Sequence, residues 1–308
     1  MTKIAFPFAL LTAALVCLLP AVPALAQAAR TFVSAAGSDS NNCTNVASPC
    51  RHFAAAYAKT AAEGEIDVLD PANYGELTIS QGISIQGHGW ASVSAVSGGA
   101  SITINGGDKI NISGVILDGG GVASSTGILF FAGGTLNLRD SVIRNFTTYG
   151  VIFQPNSSTQ SQLFVSNTLL SDNDLGIFIV PSGSGTTSGV LDHVDIENSG
   201  NAGLSINTSA QTINVTVTDS VSANNAVDGI VADSTGGTPI SIMVRNSTIA
   251  NNVANGMNAL DTATILVTRS TITGNGAGWA GNVTSYADNN IDGNSNGNTA
   301  PPNPLPYK

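Results

Sequence analysis

The stretch from Thr135 to Asn282 repeats one pattern six times, and this repeat restricts the fold more than any other feature. Each unit reads apolar strand, polar turn, second short strand, Gly, third strand. The anchoring glycines are Gly150, Gly176, Gly203, Gly229, Gly256 and Gly278, spaced by 26, 27, 26, 27 and 22 residues. Stacked on the glycines, the units form apolar columns. The first strand contributes Leu138, Val165, Leu191, Val217, Val244 and Val267; the second contributes Ile143, Leu170, Ile196, Ser222, Ile249 and Ile272. Val151, Ile177, Leu204, Ile230, Met257 and Trp279 follow the glycines. Within each unit the apolar residues alternate with period two, the signature of strands. Three short strands per ~26-residue turn describe an all-β chain, a three-sheet parallel β-solenoid with coils ~4.8 Å apart.

Two polar columns mark the corners. Asp140, Asn167, His193, Asp219 and Asn246 follow the first strand; Asn145, Asp172, Asn198, Asn224 and Asn251 follow the second. Asn, Asp and His tolerate the left-handed backbone of a tight corner. Continued alternation predicts that both columns point inward and that Asn198 and Asn224 form a ladder from coil to coil.

Charge and leader bound the partners. The net charge is −10, and charged residues make up 10% of the chain. Nucleic acid is an unsuitable partner, because phosphate binding needs a basic face. An acidic polysaccharide would be repelled unless a divalent cation bridged the two. Residues 1–26 read as a secretory signal peptide: Lys3, an apolar stretch from Phe8 to Leu19, and the small-residue site Ala24-Leu25-Ala26. The apolar stretch is short for a membrane span, so no span is expected after cleavage. The mature chain then keeps Cys43 and Cys50, an even count that predicts a disulfide in an exported protein. Residues 27–64 should hold a strand, the Cys loop, and an amphipathic helix from Ser48 to Glu63 that covers the open end of the solenoid. Residues 65–293 form the solenoid, and 294–308 read as an irregular tail.

The opening segments carry a family resemblance. Arg30-Thr31-Phe32-Val33-Ser34, the Cys43/Cys50 loop, Tyr74-Gly75-Glu76-Leu77-Thr78-Ile79 and Ile83-Ser84-Ile85-Gln86-Gly87 resemble the start of bacterial right-handed parallel β-helix proteins of the pectin-lyase-like superfamily. The resemblance spans nearly all of the mature chain and implies a right-handed single-stranded helix, in line with the handedness of parallel crossovers. It leaves function open, since the superfamily includes lyases, hydrolases, esterases, epimerases, tailspikes and members without assigned activity.

In that superfamily polysaccharide generally lies along the outer face of the sheet that begins at the Gly. The outward positions there run from Leu129 and Phe131 to Ala280 and Asn282; Asp233 is their one carboxylate, and they hold no Arg, Lys or His. A glycosidase needs two carboxylates, and a Ca²⁺-dependent lyase needs several acidic ligands and a strong base. Gly87-His88-Gly89 matches the polygalacturonase Gly-His-Gly in letters, but lacks its accompanying acidic and basic segments and reads as a corner. The dense titratable cluster is Asp192-His193-Val194-Asp195, with Asp192 and Asp195 outward, His193 toward the ladder, and Arg139 and Arg245 in Asp192's column two coils away on either side. These four, Asp192, Asp195, Arg139 and Arg245, are the catalytic candidates, with Asp as base or cation holder and Arg as charge neutraliser. Leu129, Ile152 and Phe178 form an outward apolar column, a candidate binding surface or the seat of a covering loop. The favoured reading is an exported, monomeric, non-catalytic β-helix that binds glycan or a cell-surface partner, without cofactor. The alternative is a polysaccharide-active lyase or hydrolase with loop-borne residues, for which Ca²⁺ becomes a possible cofactor.

Overall fold

The computed structural model describes residues 27–208 and 210–301. The expected signal peptide with Cys17, and the last residues of the tail, lie outside them. Every strand pairing is parallel, and the strands form one sheet of nine and one of 17. The larger sheet contains two faces. In Ile83–Ser94, Lys109–Asp118, Gln160–Ser171 and Thr186–Glu197 one strand runs across the corner between them, so hydrogen bonding is continuous. In later coils the corner separates two strands, as in Ile240–Arg245 and Thr248–Ala250. With the nine-stranded sheet as third face, the three-face solenoid expected from the repeat is present.

Register follows the columns. Leu138 pairs Val165, Val165 pairs Leu191, and Leu191 pairs Val217. These residues and their counterparts on the other faces are buried in one continuous core. The glycine anchors have a steric cause. A Cβ on Gly176 would lie 2.5 Å from the Gly203 carbonyl oxygen of the next coil and 2.3 Å from Ile196 Cγ2, so only glycine lets the coils close to strand spacing here.

Three expectations are corrected. The helix spans only Phe53–Tyr57, with Phe53 and Ala56 buried. The end of its expected span, Thr60 to Glu63, instead opens strand Thr60–Val68, in which Thr60 pairs Ala28 and the residues from Gly64 onward pair Ala28–Val33 and Ile83–Ser94. The short helix packs against Ala28–Val33, Thr60–Val68 and Leu77–Ile79. Cys43 and Cys50 are joined, with Cα atoms 5.0 Å apart.

Second, the polar corner columns point outward. Asn167, His193, Asn198, Asn224 and Asn251 are exposed, and each has a left-handed φ between 46° and 57°. That backbone bends the chain within one residue and shifts the phase of alternation, so the following residue turns inward. The buried ladder is therefore Asn173, Asn225, Asn252, Asn275 and Asn294. Asn252 Oδ1 accepts from Asn225 N–H at 3.1 Å and from its Nδ2 at 2.8 Å, while Asn252 Nδ2 donates to Ser222 O at 3.2 Å. Asn275 and Asn294 repeat this pattern. At the other corner the buried residues are Ser141, Thr168, Ser220, Ser247 and Ser270. Ser220 Oγ accepts from Val194 N–H at 3.0 Å and donates to Thr218 O at 2.7 Å. The exposed corner residues pair outside: Asn167 Nδ2 donates to Asp140 Oδ1 at 2.7 Å, and Asn145 Nδ2 to Asp118 Oδ1 at 3.0 Å.

Third, ladder order continues past residue 293. Asn294 is buried, and its N–H donates to Asn298 Oδ1 at 2.9 Å.

The two columns should respond oppositely to mutation. Asn252→Leu leaves buried donors and acceptors without partners and should cost at least ~2 kcal/mol in urea unfolding, whereas Asn224→Gly, at an exposed left-handed position, should stay within ~0.5 kcal/mol. Equal losses would contradict the assignment of inside and outside.

Candidate functional site

The acidic cluster sits where Thr186–Glu197 turns the first corner. Arg139, Ser166, Asp192, Thr218 and Arg245 lie in register along consecutive coils, as the repeat predicted. His193 departs from expectation. Its left-handed φ of 54° turns the imidazole outward, and Nδ1 lies 3.0 Å from Asp192 Oδ1. Asp219, one coil on in the same column, completes a trio whose ligand atoms all lie within 4.8 Å of one another. Hydrogen bonds from Asn246 and Thr218, with the nearby charges of His193 and Arg245, hold the Asp219 carboxyl below its ordinary range. Asp195 lies beyond the corner, exposed in a groove of about 300 Å³ shared with Asp140, Asn167 and His193. Arg139 and Arg245 take part in none of the salt bridges among the described residues; Asp192 pairs with His193 alone. The structure thus brings Asp192 together with His193 and Asp219, and keeps the two arginines at column distance. Alternation hides Asp219 from the sequence, because it turns the whole corner column, Asp219 and His193 alike, toward the core.

This donor set does not fit calcium. Two carboxylates and an imidazole nitrogen are fewer and softer than the six to eight oxygens Ca²⁺ takes. No calcium step is therefore derived.

On the third face, Ile152 pairs with Leu129 on one side and Phe178 on the other. The column is partly covered by its own neighbours: Ile152 is 6% exposed, and Tyr149 stacks on Phe178 with ring centroids 5.5 Å apart. Phe131 beside it is 49% exposed. The loops after these strands stack on each other through the Asn156–Ser182 bridge. The nine strands of this face hold one carboxylate, Asp233, and no Arg, Lys or His.

A larger open groove, about 900 Å³, follows the second corner and is lined by Asp118, Asn145, Asp172, Asp174 and Asn198. Alternation conceals it by turning Asn145, Asp172 and Asn198 toward the interior. Burial opposes ionisation of Asp118, but hydrogen bonds from Asn145, the Gly120 N–H and Arg144 outweigh it and depress the carboxyl below its ordinary range. Arg144 Nε lies 2.9 Å from Asp118 Oδ2.

Fold and register together define a parallel β-helix of the right-handed type. Among solved structures the chain is similar to the crystal structure of pectate lyase Pel9A, with a TM-score of 0.62 and 14% identity over 87% of this chain and 79% of that one. A second similarity, to GH136 lacto-N-biosidase from Eubacterium ramulus, has a TM-score of 0.32 and 8% identity over 83% and 67% of the two chains, and no argument rests on it. No family model and no curated protein matches the sequence. Among the described residues, no helix is long and apolar enough to cross a membrane.

The Asp118 environment predicts an acid response. Its folded pKa is below the unfolded value of about 3.9, so its stabilisation is present above that value and is lost as pH falls through the folded pKa. The wild-type thermal midpoint should therefore fall more steeply below about pH 4 than that of Asp118→Asn. Parallel pH profiles would show that the carboxylate contributes nothing to acid stability.

Proposed function

We propose that this chain is an exported β-helix protein that binds glycan on its outer surface without cleaving it. The observation that carries this reading is the third face itself: nine in-register strands present aliphatic, aromatic and amide side chains with a single carboxylate. Glycoside hydrolysis requires two carboxylates flanking the bond, and β-elimination requires a base aimed at the substrate. The disulfide supports an oxidising compartment, and the fold shared with a pectate lyase supports a glycan-related role.

Purified protein on a glycan panel, assayed together for binding and for release of reducing ends or unsaturated products, tests the reading. Binding without product is expected; product release would overturn it.

Release would favour the second reading, a polysaccharide lyase or hydrolase. The gathering of Asp192, His193 and Asp219, with Arg139 and Arg245 in the adjoining column, is the observation that favours it. Asp192→Ala and Asp195→Ala should then each lower turnover by ~10²-fold or more while the fold survives. Full turnover in both variants would exclude this cluster as the site.

A further inference from the structure

The Gly87-His88-Gly89 corner has no part in the site described above, yet it is longer than the matching corners of the coils that come next. Four residues, Gly87 to Trp90, lie between Gln86 and Ala91, where the next coil places Gly114 alone between Ser113 and Val115. Later coils also turn on one left-handed residue, such as Asp140, Asn167 or His193. At Gly87 the chain still hugs the solenoid: a Cβ there would lie 2.3 Å from the Gly114 carbonyl oxygen. At Gly89, with φ +82°, a Cβ would meet nothing within 4 Å. The insertion thus adds chain at the corner and places Trp90 at the surface.

The indole lies beside an anchored neighbour. His88 Nε2 lies 2.7 Å from Asp67 Oδ1, and the His88 ring centroid lies 5.7 Å from that of Trp90. Trp90 remains 44% exposed. An indole left in water forgoes the burial that normally stabilises a tryptophan; a pre-positioned one loses little freedom when a ligand covers it.

Beside it runs a groove of about 670 Å³ lined by Trp90, Asn73, Ser94, Asp118 and Arg144, within the size range of ligand sites. Its polar groups recur along the axis: Asn73 pairs Ser92, while Ser94 pairs Asp118 and Asp118 pairs Arg144 on successive coils. A flat apolar surface flanked by hydroxyl, amide and carboxylate groups matches a pyranose, which has a C–H face and a rim of hydroxyls. Arg144 is already paired with Asp118 at 2.9 Å, and the chain carries net charge −10. A uronate carboxylate therefore finds no spare cation in the groove.

We propose that the Trp90 bulge and this groove form a stacking subsite for a neutral pyranose, an inference that rests on the glycan-binding reading and locates it. The chain has two tryptophans, and Trp279, whose Nε1 donates to Thr299 O, belongs to the last coils. Trp279→Phe protein therefore reports Trp90 fluorescence alone. Soluble glucan, mannan and xylan are titrated into it, with polygalacturonate as the acidic comparator. At least one neutral glycan should shift the emission, and Trp90→Ala should weaken binding of that glycan about tenfold or more, with circular dichroism and thermal midpoint unchanged. Trp90→Phe should retain part of the affinity. Wild-type affinity in Trp90→Ala would overturn the subsite while leaving glycan binding elsewhere intact. No binding by the wild type would remove both. A response to polygalacturonate alone would overturn the neutral class.

Discussion

Closing parallel coils at strand spacing buries corner backbone groups that no sheet can pair, and the structure rests on how these are satisfied. At most corners a left-handed residue turns the chain and the next side chain enters the core, as an Asn, Ser or Thr in the later coils and as Val115, Phe146 or Val194 elsewhere. Asn225, Asn252, Asn275 and Asn294 supply acceptors to the coil before and donors to carbonyls such as Ser222 O. Ser220, Ser247 and Ser270 do the same at the other corner with one hydroxyl each. An unmade bond there would cost ~1–3 kcal/mol, so these ladders help to fix the register of the later coils on one another.

Because the interior holds much of the register, the outer faces can vary more from coil to coil. Their side chains stack at strand spacing, which turns a one-residue choice into a column several coils long. The apolar column through Ile152, the acidic groove beside Asp118, and the Asp192–His193–Asp219 trio all arise this way. Irregularity is confined to places where a coil carries extra chain. The corner insertion ending in Trp90 is such a place, and the scaffold holds what it presents.

The fold was legible because inward apolar residues recur in columns that no helix or sandwich would need. Leu138, Val165 and Leu191 are buried where the alternation put them. Alternation failed at the corners, since it assumes a continuous strand and a left-handed residue shifts its phase by one. The same error hid the Asn225–Asn252–Asn275 ladder behind Asn224 and Asn251, turned His193 inward, and concealed the Asp118 groove. The helix was overextended because Thr60 to Glu63 carries no local strand signal; pairing with Ala28–Val33 decides it. Trp90 lies outside the repeat columns, and its bulge shows only when coil lengths are compared through register.

Amide hydrogen exchange tests the central claim most directly. If the buried ladders hold the solenoid, the backbone N–H groups of Asn225, Asn252 and Asn275 should exchange only through global unfolding, together with the core strands. Exchange of these amides at the rate of surface turns such as Gly236–Gly237, with the core strands still protected, would contradict the account.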